Sequence, residues 1–148
     1  MDALQQDLKT LFDRDLNRLI KEVRDTPDEL LWTTPKGISN SCGILVQHLV
    51  GNLNHYIGKG IGETGYLRDR EREFTSTGIS KEKLIEQVEE LQQTLEPVFQ
   101  TITEDRLDEP FALDFPFKVS NRGALMHLYG HLNYHLGQYN YLRRMQSS

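Results

Sequence analysis

His127, His131 and His135 recur at intervals of four near the end of the chain. On a helix, residues four apart are displaced by one turn and only about 40° in azimuth, so three such imidazoles face nearly the same way. Two at i, i+4 can aim ring nitrogens at one metal ion. His127 and His135, however, would be separated by about 12 Å of axial rise. One helix therefore supplies two ligands, and a third must come from His48 or His55, the remaining histidines. Those two are seven apart, about 10 Å along a helix, so a single ion takes one of them. Two imidazoles from one helix and one from another leave a coordination position open, which is the arrangement of catalytic rather than structural zinc. An open position holds a water of lowered pKa, or a substrate thiolate that displaces it. The plainer alternative is that these histidines are half-buried, hydrogen-bonded residues bordering a core.

The elements that must position them are read from apolar periodicity. Leu4, Leu8, Leu11, Phe12, Leu16, Leu19, Ile20 and Val23 repeat at intervals of three and four. They predict a helix from Asp2, a possible cap, to about Val23, with its charged residues on a solvated face. Asp25-Thr26-Pro27 ends it and opens a loop to about Asn40, anchored by Leu30, Leu31 and Trp32. For Trp32 packing is preferred over a substrate contact. Ser39, Asn40 or Ser41 caps a second helix running to about Ile61, with Leu45, Leu49, Leu53 and Tyr56 on one arc and His48, Asn52 and His55 along its edge. Residues 62–78 read as a loop around the mixed-charge run Arg68-Asp69-Arg70-Glu71-Arg72-Glu73-Phe74. Such a run is usually solvated; the sharper reading is that one arginine reaches over the site to hold an anionic substrate.

Ser80 opens a third helix with Leu84, Ile85, Val88, Leu91 and Leu95 on its apolar face. Pro97 inside the pattern predicts a kink or break before an end near Thr103. Residues 105–120 alternate Phe111, Leu113, Phe115 and Phe117, which suits a short extended excursion or a loop whose phenylalanines plug one end of a bundle. Ser120 or Asn121 caps a last helix to about Met145, with Leu125, Leu128, Leu132, Leu136 and Tyr139 forming the apolar arc and the histidines and Gln138 flanking it. Gly123, Gly130 and Gly137 form a separate line at a spacing of seven. Each interior glycine costs about 1 kcal/mol relative to alanine, which suggests close approach of another helix, from this chain or a second subunit. Four amphipathic helices joined this way describe an all-α, four-helix bundle, a fold that builds metal sites from facing helices.

The 148 residues suit one domain able to bury a core without disulfides. A net charge of −5, with Lys and Arg scattered among acids, argues against nucleic acid as a partner. The chain has neither a long apolar run nor a charged-then-apolar amino terminus, so no membrane span or secretory signal is expected, and a cytoplasmic protein is. Cys42 is alone; it reads as a small buried apolar residue, with a nucleophile as the sharper alternative.

The run His131-Leu132-Asn133-Tyr134-His135-Leu136-Gly137-Gln138, with a second-helix histidine in Gly43-Ile44-Leu45-Val46-Gln47-His48-Leu49, resembles the DinB-like superfamily of metal-dependent bundles, which includes bacillithiol and mycothiol S-transferase type proteins. The likeness covers nearly the whole chain, including Trp32-Thr33-Thr34-Pro35-Lys36-Gly37 and the 68–74 run. It implies His48, His131 and His135 as ligands, typically of zinc or nickel, and assigns no role to His55 or His127. The first functional expectation is an enzyme whose divalent metal keeps a low-molecular-weight thiol as thiolate for attack on a small electrophile. His55, His127, Tyr134 or Gln138 would orient substrate or shuttle a proton. The sulfur chemistry follows from the resemblance alone. Hydrolysis of a small molecule is the alternative, weakened because the histidine faces of the second and last helices carry no Asp or Glu. A non-catalytic metal-stabilised binding or dimerisation bundle is a third reading; a phosphotransfer histidine fits an acidic chain with clustered histidines poorly. The glycine line and family habit together favour a homodimer.

Overall fold

The computed structural model describes residues 3–147. Four long helices carry the fold: α1 (Ala3–Asp25), α2 (Cys42–Leu53), α4 (Lys81–Thr101) and α6 (Asn121–Gln146). Two short ones, α3 (Arg70–Thr75) and α5 (Glu104–Asp108), lie in the connections. The four long helices stand where periodicity places them. Three start on serine side chains that accept the exposed N–H groups of a first turn: Ser41 from Ile44, Ser80 from Lys83 and Ser120 from Gly123. The proposed cap at Asp2 lies outside the described residues. α1 and α2 each pack against both α4 and α6, so the ring alternates and the 26–41 segment crosses the bundle instead of forming a tight hairpin. Leu31 is buried at that crossing, and the Trp32 indole N–H donates to the Ile79 carbonyl, so Trp32 is a packing residue. No helix among the described residues is long and apolar enough to cross a membrane.

The core is the sum of the expected faces: Phe12, Leu16 and Leu19 of α1, Leu45, Leu49 and Leu53 of α2, Leu84, Val88 and Leu91 of α4, and Leu125, Leu128 and Leu132 of α6. α4 runs unbroken through Pro97 to Thr101, so of the kink or break expected there the break does not occur. Packing of Leu95, Val98 and Phe99 into the core holds the last turn despite the missing N–H. The charged positions of α1 are not all solvated either. Asp15 is fully buried, where it accepts hydrogen bonds from Arg14, the Tyr129 hydroxyl and Asn133, tying α1 to α6. Burial would raise its carboxyl, but those donors outweigh it and hold it below the usual carboxylate range.

Cys42 is wholly buried, and burial pushes its thiol up to about 12. The packing role therefore holds and the nucleophile does not. Native protein is expected to resist a maleimide or a disulfide reagent over hours at neutral pH, with stoichiometric labelling only after denaturation.

The 62–78 segment is not a plain loop, since α3 forms within it, capped by the Asp69 carboxylate accepting from the Arg72 N–H. In the 105–120 segment, α5 is followed by a single antiparallel bridge between Pro110 and Ser120. Phe111, Phe115 and Tyr56 stack there as a closed aromatic group at one end of the bundle, and Phe117 extends it to the surface. The glycine line does not seat a helix of this chain. A methyl group at Gly130 or Gly137 would meet nothing within 4 Å, and at Gly123 it would meet the Val119 side chain of the preceding loop.

Candidate metal centre

α2 and α6 lie side by side, and the histidine edge of each faces the other. His131 and His135, one turn apart on α6, meet His48 of α2 so that one ligand atom from each lies within 4.8 Å of the others. The Nε2 atoms of His48 and His131 are 3.1 Å apart. The rings stand nearly perpendicular, with centroids 5.2 Å apart for His48 and His131, 5.0 Å for His48 and His135, and 4.4 Å for His131 and His135. Spacing alone left open whether His48 or His55 joins α6, and the packing selects His48. α2 gives way to a π-helical turn over Asn54–Lys59, and His55 sits in that turn.

Hydrogen bonds on the far side of two rings determine which nitrogens face inward. His135 Nδ1 is 2.8 Å from the Gln138 carbonyl oxygen Oε1, which can only accept, so Nδ1 carries the proton and Nε2 is free. His48 Nδ1 lies 3.2 Å from Oε1 of Glu73, which likewise directs Nε2 toward His131. Burial, then the neighbouring His135 and His48, push the His131 imidazole down to about 4, and burial lowers His135 as well. Both are neutral at pH 7, the form that binds metal. Two imidazole nitrogens as close as those of His48 and His131 cannot both present lone pairs to each other. Either one carries a proton, or both face a common cation. Zinc–nitrogen bonds of about 2.0–2.1 Å put two ligand nitrogens roughly 3–3.4 Å apart, so the donor set suits a divalent ion.

The other expected site residues are distributed around this cluster. Gln138 is exposed and holds His135. Tyr134 is 65 % exposed, with its ring 5.2 Å from that of His135. His127 stands apart, exposed, with its ring edge-on to Phe115 and Phe117 at 5.3 and 5.2 Å. His55 is half-buried against Tyr56, its buried Nδ1 has no protein partner, and burial followed by the charges of Arg68 and Lys59 lowers its pKa. Asn52, buried one turn beyond His48, also keeps an unpartnered Oδ1. Asn52 on α2 and His55 in the turn that follows it thus each keep a polar atom without a protein partner.

Glu73 was not legible as a site residue. It is 7 % exposed, receives Arg68 through both carboxylate oxygens at 2.8 and 2.9 Å, and meets His48. Burial would raise its carboxyl; the donors His48 and Arg68 hold it below the usual range. Arg68 therefore does reach the site, but it pairs with a carboxylate of its own chain, and its guanidinium lies over the Tyr56 ring at 5.6 Å. In the 68–74 run Glu73 looks like any solvated acid, because its partner is on a helix 25 residues upstream. A glutamate followed by an aromatic within an otherwise charged loop was the only hint.

No curated protein matches the chain. Among solved structures, it resembles a conserved protein from Enterococcus faecalis, with a TM-score of 0.76 at 16 % identity, covering 97 % of each chain. A DinB-like protein from Bacillus subtilis matches with a TM-score of 0.72 at 18 % identity, covering 96 % of this chain and 93 % of that one. A DinB-like protein from Bacillus cereus gives 0.71 at 20 % identity, with 90 % and 86 % covered. Those likenesses establish the DinB-like fold. The sequence goes further, because the model of the mycothiol S-transferase family matches residues 7–146, a span that includes α2, α3 and all of α6, and the chain therefore belongs to that family.

Proposed function

We propose that this protein is a metal-dependent thiol S-transferase of the cytoplasm, with His48, His131 and His135 holding zinc or nickel. The observation that carries the reading is the convergence of three imidazoles from two helices at one point. When bound, such an ion lowers the pKa of a coordinated thiol and keeps it as thiolate at neutral pH. The chain's own residues do the rest. Gln138 orients His135, and the exposed Tyr134 and His127 stand on the solvent side of α6, where a small electrophile would approach. His55, neutral and with Nδ1 unpartnered, accepts or relays a proton from substrate, and Asn52 Oδ1 accepts a hydrogen bond from it. Glu73 does not revive the hydrolytic reading, since both its oxygens are engaged by Arg68 and one also by His48, leaving no free base.

The test is cobalt substitution. Adding a small thiol such as cysteine or 2-mercaptoethanol to the cobalt protein is expected to produce an intense near-ultraviolet thiolate charge-transfer band. The same thiol should then alkylate faster with monobromobimane in the presence of the zinc protein than without it. A cobalt spectrum indifferent to thiol would rule out sulfur as the incoming ligand.

We also propose a homodimer through the outer face of α6, where Met126, Tyr141 and Met145 are all more than 60 % exposed and Gly130 and Gly137 lie between Met126 and Tyr141. Because nothing within the chain opposes a methyl group at either glycine, Gly130→Ala and Gly137→Ala should each stabilise an isolated chain by up to about 1 kcal/mol. In a dimer packed on this stripe they should instead weaken association several-fold in sedimentation equilibrium. Greater stability with unchanged association would remove the glycine line from any interface.

A further inference from the structure

The six-residue helix α3 supplies two side chains to the same imidazole. Glu73 meets Nδ1 of His48, and the Phe74 ring packs on the His48 ring at a centroid distance of 4.8 Å. Its far end is tied to α2 by Gln47, whose amide donates to the carbonyls of Glu73 and Ser76 at 3.2 and 2.8 Å. The Glu73 carboxylate reaches His48 by lying across α2 at Gly51, one turn beyond the histidine. A methyl group at Gly51 would overlap that carboxylate, with no flexible neighbour to give way except Glu73 itself. Arg68 then clamps the same carboxylate through two hydrogen bonds, with its side chain only 10 % exposed.

From this arrangement we infer that Glu73 is a positioning residue for the metal centre and that Gly51 is the seat that lets it reach His48. The inference rests on the metal-binding reading. The carboxylate fixes His48 with the proton on Nδ1 and Nε2 free to ligate, and it increases the electron density the ring can offer. Arg68 holds the carboxylate by both oxygens and stops it from rotating toward a metal as a ligand. Phe74 restricts the ring's tilt. A buried carboxylate–guanidinium pair gives little net stability over apolar residues of the same shape, so stability alone is a weak account of its presence beside a ligand histidine.

The experiment compares zinc affinity and the cobalt absorption spectrum of the wild type, Glu73→Gln, Gly51→Ala and the double variant, with His48→Ala as reference. Each single substitution is expected to weaken zinc binding by about 10–100-fold, the range usual for partners of ligand histidines. Each should also shift the cobalt d–d bands in the same way, and the double variant should lose no more than the worse single, because both break one contact. Wild-type affinity and spectrum in Glu73→Gln, or additive losses in the double variant, would overturn the inference. Glu73→Gln keeps the side-chain shape and decides the matter by itself should Gly51→Ala not fold. A second readout needs no variant: imidazole nitrogen shifts in the metal-free wild type should show His48 protonated at Nδ1, and a proton on Nε2 would overturn the inference equally. Zinc binding indifferent to His48→Ala would instead sink the metal centre, and the role of Glu73 with it.

Discussion

His131→Ala is expected to abolish useful metal affinity. Structural zinc sites bind with about 10–16 kcal/mol over four ligands, so one ligand is worth about 3 kcal/mol, or about 100-fold and more in dissociation constant. His48→Ala and His135→Ala should behave alike, because each supplies one of the converging nitrogens. His127→Ala is the control: its exposed ring lies against Phe115 and Phe117, outside the cluster, and zinc affinity should stay within about twofold of wild type. The same loss must appear in stability. Zinc at 100 times its dissociation constant should stabilise the wild type by about 2.7 kcal/mol, and the ligand variants, at least about 100-fold weaker, should gain no more than about 0.4 kcal/mol at the same concentration. The measurements are competitive zinc titration and thermal melts with and without metal. Full affinity in all three ligand variants would mean that the histidines meet for structural reasons only.

The metal-free protein is expected to lose stability steeply between about pH 6.5 and pH 4. His131 has a folded pKa of about 4, against an unfolded value near 6.5, because burial and two neighbouring imidazoles disfavour its cation. A histidine with a lowered folded pKa binds more protons when unfolded throughout that interval, so its contribution is fully present above pH 6.5 and vanishes as pH falls toward 4. For His131 alone this is on the order of 2–3 kcal/mol. His135 shifts in the same direction and adds to it. Below that window Asp15 and Glu73, both held low by their donors, extend the loss as they protonate. Urea midpoints of the metal-free protein from pH 4 to 8 measure it. In His131→Leu, which has no imidazole to charge, the curve should flatten markedly over the same range. An unchanged slope would mean that His131 is solvated enough to titrate normally.

The periodic spacing of apolar residues was sufficient for the four long helices, since burying one face of each is what makes them stable, and spacing registers that directly. Serine caps marked three of their starts within a residue or two. The pair His131 and His135 was equally legible, because i, i+4 on a helix places two rings on one face whatever the surroundings. Pro97 did not break its helix, since the cost of a missing N–H depends on how firmly the following turn is packed, and Val98 and Phe99 are core residues.

The amino-acid sequence by itself thus determined the all-α bundle and the family; its spacing gave two of the three converging histidines, and its family resemblance implied His48 as the third. Only the tertiary structure decided the rest. It supplied the geometric reason for His48 rather than His55, through the way α2 lies against α6, turned Gln138 into a partner of His135, and put Asp15 in the core. It also carried Glu73 and Arg68 from a charged loop to the back of His48. Apart from Gln138 and His135, one turn apart on α6, these are pairings between residues far apart in the chain, and the free energy that makes such a pairing comes from burial and donor–acceptor geometry that exist only after the helices have packed.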